Sequence, residues 1–201
     1  MDPDRLLDQL DALTPLGELP RTGWVLRGCV PAESIAAHTL QVAMVVAVLC
    51  DALRAEGQAV DGERALRMAL VHDAPEARTG DVPMPMKTPA LARELAALEA
   101  RIAEELLPAA LRADWADAEA RGSIEAELVA AADKLQMLAQ ALRYERRGHA
   151  RGVFDSMWAN ANNLRALHLA PVRALYEALF RRAGRAMPVV ISRRTGAGSP
   201  P

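Results

Sequence analysis

The stretch Ala32-Glu-Ser-Ile-Ala-Ala-His38-Thr-Leu-Gln-Val-Ala-Met-Val-Val-Ala-Val-Leu-Cys50-Asp-Ala-Leu-Arg-Ala55 decides the fold. Its apolar residues, among them Ile35, Leu40, Val42, Val45, Val46 and Leu49, recur at helical spacing and occupy most faces. A helix of this kind must be covered by other helices, so it is expected to run through the centre of the molecule. Its longest wholly apolar run, Val42 to Cys50, is shorter than the roughly 20 residues a bilayer span needs. The stretch therefore reads as core, and no membrane is expected as a partner.

Composition extends this reading to the whole chain. Of 201 residues, 51% are hydrophobic and only 3% aromatic, with Ala and Leu dominating. That composition favours closely packed helices over sheets, which draw on Val, Ile, Tyr and Phe. An all-α bundle is the expected class. The formal net charge of −2 supplies no positive field for polymeric nucleic acid. Cys29 and Cys50 are too few to staple a secreted scaffold and have no CxxC partner, and the first residues are acidic rather than an export signal. A cytoplasmic protein with structural, reduced thiols is expected.

Before the central stretch, Leu6, Leu7, Leu10 and Leu13 line one face of a short helix, which Pro15, Gly17 and Pro20 interrupt. An irregular stretch from Arg21-Thr-Gly-Trp24 to Pro31 follows. Beyond the central stretch, Asp61 can cap a helix that runs into His72 and ends near Ala77. Pro83, Pro85 and Pro89 bracket a polar connection holding Lys87. Thr88 as N-cap and Pro89 at the first helical position open a helix toward Leu107, and Pro108 begins another. Ser123 opens a long helix over 124–147, and two more are expected over 156–169 and 172–183. Residues 1–183 are read as a single domain. The segment 184–201, rich in Gly, Pro, Ser and Arg, reads as a flexible tail.

Four metal-competent residues lie in otherwise apolar helices: His38, the pair His72-Asp73, and Asp133. Polar groups in such places need partners, and one shared divalent cation would satisfy all four. Two imidazoles with two carboxylates suit Mn, Co, Fe, Ni or Zn with positions left open. In His72-Asp-Ala-Pro-Glu76-Ala-Arg-Thr-Gly80-Asp81, Glu76 falls one helical turn beyond His72, and a turn at Gly80 can bring Asp81 back. One carboxylate beside the cation can orient water or take its proton, and a second can protonate a leaving oxygen. Hydrolysis is the natural chemistry.

The order His38, His72-Asp73, Asp133 resembles the H…HD…D signature of the HD-domain phosphohydrolases. Around it, Pro20-Arg-Thr-Gly-Trp-Val-Leu-Arg27, Pro31-Ala-Glu-Ser34, Ala69-Leu-Val-His-Asp73, Thr79-Gly-Asp-Val-Pro83 and Ala132-Asp-Lys-Leu135 resemble the 5′-deoxynucleotidase branch and its HD-domain-containing protein 2 relatives. The resemblance covers about residues 15–150.

It implies an HD-domain helical bundle that removes phosphate from deoxyribonucleoside 5′-monophosphates. His38, His72, Asp73 and Asp133 would bind one divalent metal, Glu76 would position the attacking water, and Asp81 would assist at the leaving group or sugar. Arg21, Trp24 and Lys87 would contact the nucleotide. Arg and Lys neutralise a phosphate dianion, and an indole offers an apolar wall to sugar or base. The resemblance also implies a homodimer.

Two positions depart from the family pattern. Ala37 stands where relatives carry an acidic residue, which removes a contact that would orient His38. Gly23 stands where bacterial members often have Arg, with Arg21 instead three positions before Trp24. His149 and His168 fall outside the signature and read as surface or loop residues. No histidine lies between His72 and Asp133 to build a second metal site, so a mononuclear centre is expected. The alternatives are an HD hydrolase acting on an NTP, a cyclic nucleotide or an alarmone, and a nucleotide-binding HD module without turnover.

Overall fold

A computed structural model describes residues 2–189. Its helices are α1 (Pro3–Leu13), α2 (Pro15–Glu18), α3 (Thr22–Val25), α4 (Ile35–Ala55), α5 (Gly62–Val71), α6 (Glu76–Thr79), α7 (Pro89–Leu106), α8 (Ala109–Ala120), α9 (Ile124–Arg146), α10 (Asp155–Ala159) and α11 (Ala170–Ala183). Among the described residues there is no strand, only an isolated bridge between Pro20 and Ser34. The all-α expectation is met.

The helix starts follow side-chain caps. Ser34 accepts from Ala37 N, Asp61 from Arg64 N, Thr88 from Leu91 N and Ser123 from Ala126 N, each satisfying an amide that has no partner within the helix. Helix α4 lies between α5 and α9, its most extensive neighbours. Val42, Val46, Leu49 and Leu53 of α4 pack with Met68 of α5 and Leu128, Leu135 and Leu138 of α9. Each such side chain removed from water contributes about 1.5–3 kcal/mol. By length and composition α4 could span a bilayer, but here its buried side chains serve the bundle core. A smaller apolar cluster, with Ile102, Leu106 and Trp115, joins α7 and α8 to Val71 and Ala74.

Two backbone hydrogen bonds beside the bridge, Arg21 N to Glu33 O at 2.8 Å and Ile35 N to Leu19 O at 3.0 Å, fold the segment 20–34 back on itself. The irregular stretch with Arg21 and Trp24 is thereby pinned beside the first turns of α4, where His38 lies.

Three sequence expectations need correction. The helix expected to reach Ala77 stops at Val71. Pro75 has no N–H to donate and cannot continue the ladder. The chain instead turns through bonds three residues apart, Ala74 N to Val71 O and Glu76 N to Asp73 O, before α6 begins. The helix expected over 156–169 is broken into α10 and a 3-10 turn at Ala161–Asn163. Asn160 bonds its side chain to Asn162 N, and Asn163 donates to Met157 O at 2.8 Å; such local bonds compete with helix. Finally, the tail expected from Gly184 is anchored at its root. Arg185 pairs with Glu145 and Asp155, and Met187 packs against the main core. Residues 190–201 of that tail lie outside the described residues. Cys29 and Cys50 are buried and unpaired.

Candidate metal centre

Helices α4, α5 and α9 converge on one cluster. His38 projects from the buried face of α4, His72 caps the C-terminal end of α5, Asp73 follows in the turn forced by Pro75, and Asp133 is the polar exception on α9. His38, His72 and Asp133 each offer a ligating atom within 4.8 Å of the other two. Asp73 Oδ2 joins them, 3.3 Å from His72 Nε2 and 3.7 Å from His38 Nε2. Asp133 Oδ1 is 3.3 Å from His38 Nε2.

These near approaches are not hydrogen bonds. His38 Nε2, His72 Nε2 and Asp133 Oδ1 are buried and have no hydrogen-bond partner among the described residues. Three such atoms facing one another are costly unless something binds them together. The protonation of the rings fits a cation. His72 Nδ1 is 2.8 Å from Ala69 O, and a carbonyl only accepts, so Nδ1 carries the hydrogen and the Nε2 lone pair faces the cluster when the ring is neutral. His38 Nδ1 is 2.5 Å from Gln136 Oε1, which leaves its Nε2 lone pair facing the same point. The orienting contact expected to be lost with Ala37 is thus supplied by Gln136.

Charge in the cluster is strongly perturbed. Burial alone would depress the His72 pKa, but Asp73, with help from Asp133, outweighs it and pushes His72 up to about 9. Burial opposes ionisation of Asp73 as well, yet His72, Arg21 and His38 hold it well below the usual carboxylate range. Asp133 is likewise held low against burial, by Lys134 and then His38 and Arg21. Without a cation the carboxylates keep protons on nearby imidazole; a divalent ion can take over that positive charge.

The cluster opens into a cavity of about 570 Å³ whose lining includes His72, Asp73 and Asp133. Glu76, at the first position of α6, lines it with a buried, unpartnered Oε2. Burial, then Asp73 and Asp81, push its pKa up to about 10. Gly80 has φ 68°, which a side chain would strain, and the turn there returns Asp81 to the cavity. Asp81 Oδ2 accepts from Gly23 N at 3.3 Å, tying the Arg21–Trp24 segment over the site.

Arg21 and Lys87 line the same cavity. Arg21 Nη1 donates to Asp73 Oδ2 at 3.0 Å. Burial opposes its charge, but Asp73, Asp133, Asp81 and Glu76 outweigh it and raise its pKa. Trp24 is only 2% exposed. It packs against Tyr144 and Phe154 and donates to Glu33 Oε2 at 3.1 Å, so it reaches the cavity as an edge of the core rather than as a free wall. His149 packs against Tyr144 and Phe154, and exposed His168 pairs with Glu127; neither joins the cluster.

Sequence reading gave no role to three residues that the structure places here. Lys134 lines the cavity and pairs with Asp133 Oδ2 at 2.7 Å. Gln136 and Glu33, buried behind His38, are joined at 2.6 Å. A signal existed for Gln136: it follows Asp133 by three on an apolar helix face, where an amide needs a reason.

Known proteins share both sequence and architecture. The HD-domain family profile matches residues 15–167. Human 5′-deoxynucleotidase HDDC2 is 32% identical over 152 residues, covering 73% of this chain and 72% of its own. The 5′-deoxynucleotidase hdd1 of Schizosaccharomyces pombe is 31% identical over 147 residues, covering 69% and 71%. Among solved structures, the PH0347 protein of Pyrococcus horikoshii superposes with a TM-score of 0.72 at 31% identity, covering 89% of this chain and 98% of that one. An HD-domain phosphohydrolase of Listeria innocua, 18% identical, shares the fold at 0.65 over 87% of each chain. The chain belongs to the HD-domain family and is a hydrolase of the metal-dependent phosphohydrolase kind.

Proposed function

We propose that this hydrolase acts on deoxyribonucleoside 5′-monophosphates, releasing nucleoside and inorganic phosphate. One observation carries the reading: unpartnered His38 Nε2, His72 Nε2 and Asp133 Oδ1 converge at a cavity that also holds Arg21, Lys87 and unpaired Glu76 Oε2. The relatives named as 5′-deoxynucleotidases support the substrate class.

His38, His72, Asp73 and Asp133 would hold one divalent cation of the Mn, Co, Fe, Ni or Zn kind. When bound, it supplies Lewis acidity at a phosphate oxygen and makes water acidic enough to attack near neutral pH. Arg21 and Lys87 set two positive charges against the phosphate dianion. Glu76 is held neutral by burial and by Asp73 and Asp81 only while no cation offsets their charge. With the cation held it would be ionised, and its Oε2 would then orient the attacking water and receive its proton as the new P–O bond forms. The P–O5′ bond breaks on the opposite side. The departing 5′-oxygen takes up the proton that Glu76 received, relayed through solvent, and leaves as the nucleoside hydroxyl, while Asp81 assists that oxygen or holds the sugar. Trp24 contributes an apolar edge beside sugar or base.

The same reading takes the chain as a cytoplasmic homodimer that binds neither polymeric nucleic acid nor a membrane. Leu40, Met44 and Val48 are exposed at helical spacing on α4. Antiparallel packing about Met44 sets Leu40 of one copy against Val48 of the other and brings Asp51 toward the opposite helix N-terminus, which favours a carboxylate. Met44→Glu should leave a monomer in sedimentation; a wild-type monomer refutes the dimer.

The test of the substrate is a phosphate-release screen over nucleotides with and without added Mn or Co. Orthophosphate from several deoxyribonucleoside monophosphates, dependent on cation, is expected. Pyrophosphate release, or a linear monophosphate as product, would reassign the bond that breaks. Tight nucleotide binding with no release under any cation would make the chain a binding module.

A further inference from the structure

Glu33 has no place in the chemistry above, yet it lies behind both the cation cluster and the cavity wall. The residue is 8% exposed, and its carboxylate contacts are neutral donors: Gln136 Nε2 at 2.6 Å and Gln41 Nε2 at 3.2 Å on Oε1, and Trp24 Nε1 at 3.1 Å on Oε2. Its main chain is also committed. Glu33 N donates to the Tyr144 hydroxyl at 2.8 Å, and Glu33 O accepts from Arg21 N at 2.8 Å. Placing a carboxylate among neutral donors is expensive, and an amide side chain would fill the same space without burying a charge.

Three donors converge there, so an acceptor is needed; the use of a charged one is explained by what a carboxylate alone can do. An ionised carboxylate only accepts hydrogen bonds, so it draws the NH2 of Gln136 toward itself. The other end of that amide, Oε1, then faces His38 Nδ1 at 2.5 Å. A carbonyl oxygen there requires Nδ1 to carry the hydrogen and leaves the Nε2 lone pair for a cation. With an amide at position 33, either group can face Gln136, and Gln136 is free to flip. A flipped Gln136 presents NH2 to His38, favours hydrogen on Nε2, and blocks that ligand position.

We propose that Glu33 is a positioning residue that fixes the ligating tautomer of His38 through Gln136 while tying the Trp24 indole to the same frame. The inference rests on the cation-binding reading of the cluster. It gives second-layer control of His38 to a residue on the loop before α4 and another on α9, in place of the acidic neighbour that Ala37 replaces.

The test is Co2+ titration of the metal-free protein followed by visible absorption, with thermal melting of each variant as a folding control. Glu33→Gln should weaken Co2+ binding about 10- to 100-fold, the range seen when a ligand's supporting partner is lost. Gln136→Met, which keeps Glu33 but removes the acceptor, should weaken it similarly. The double variant Glu33→Gln/Gln136→Glu should restore affinity, because a carboxylate at 136 accepts directly from His38 Nδ1; a purely structural role gives no such rescue. Wild-type affinity in either Gln136→Met or Glu33→Gln, or loss without rescue in the double variant, overturns the proposal. Failure of the wild-type protein to take up Co2+ instead overturns the cation reading on which it rests.

Discussion

Arg21 Nη1 and Asp73 Oδ2 lie 3.0 Å apart, so the arginine assigned to phosphate is tied to a carboxylate of the cation cluster. The pair is mostly buried, with side chains 14% and 17% exposed. Arg21 therefore stands with one side on Asp73 and the rest of its guanidinium in the cavity. A planar group with five donors can serve a carboxylate and a phosphate together.

Arg21→Ala should reduce kcat/KM for a deoxyribonucleoside monophosphate by about 100-fold, the scale of one lost donor to developing charge. Arg21→Lys should recover only part, since an ammonium cannot reproduce the fork. Steady-state kinetics with saturating cation check this; equal activity in Arg21→Ala would remove the residue from the site.

Metal-free protein should lose stability as pH rises from about 6.5 to 9. His72, raised to about 9 in the folded state, contributes stability that is complete below its ordinary value near 6.5 and lost above 9. Glu76, raised to about 10, works in the same direction: folding favours its neutral form, and that preference costs stability as pH rises past its ordinary value. Melting temperatures should fall by at least a few degrees across this window, and saturating Mn or Co should flatten the slope. A metal-free slope of opposite sign contradicts the account.

Glu76→Gln should leave Co2+ affinity within a few-fold of wild type while lowering kcat by about 10²- to 10⁴-fold, the range for a lost general base. The comparison separates a proton-handling group from a ligand. Loss of cation binding in this variant would move Glu76 into the coordination set.

Trp24→Ala should act on folding before it acts on substrate. The indole is buried against Tyr144 and Phe154, and truncation of such a side chain costs about 3–5 kcal/mol. Urea unfolding checks the loss. A variant as stable as wild type with only its KM changed would restore the free-wall role expected from sequence.

Much of the site was legible because its residues break an apolar pattern. His38 on α4 and Asp133 on α9 stand out as polar groups within runs of Ala, Leu and Val, and proline and capping residues marked the ends of most helices. What escaped depends on contacts between segments far apart in the chain. Nothing local to Glu33 shows that it meets Gln136, 103 positions later, and nothing around Trp24 shows that Tyr144 and Phe154 enclose its ring. The break at Asn160 has a local cause instead: side-chain bonds of Asn160 and Asn163 to nearby backbone compete with the helix expected over 156–169.

The central claim is that His38, His72, Asp73 and Asp133 hold one divalent cation. Counting Co2+ bound per chain in wild type and in the separate alanine variants of His72 and Asp133 tests it most directly. The account predicts one equivalent for wild type, with saturable uptake lost in both variants. Uptake that is absent from wild type, or unchanged in the variants, would contradict it.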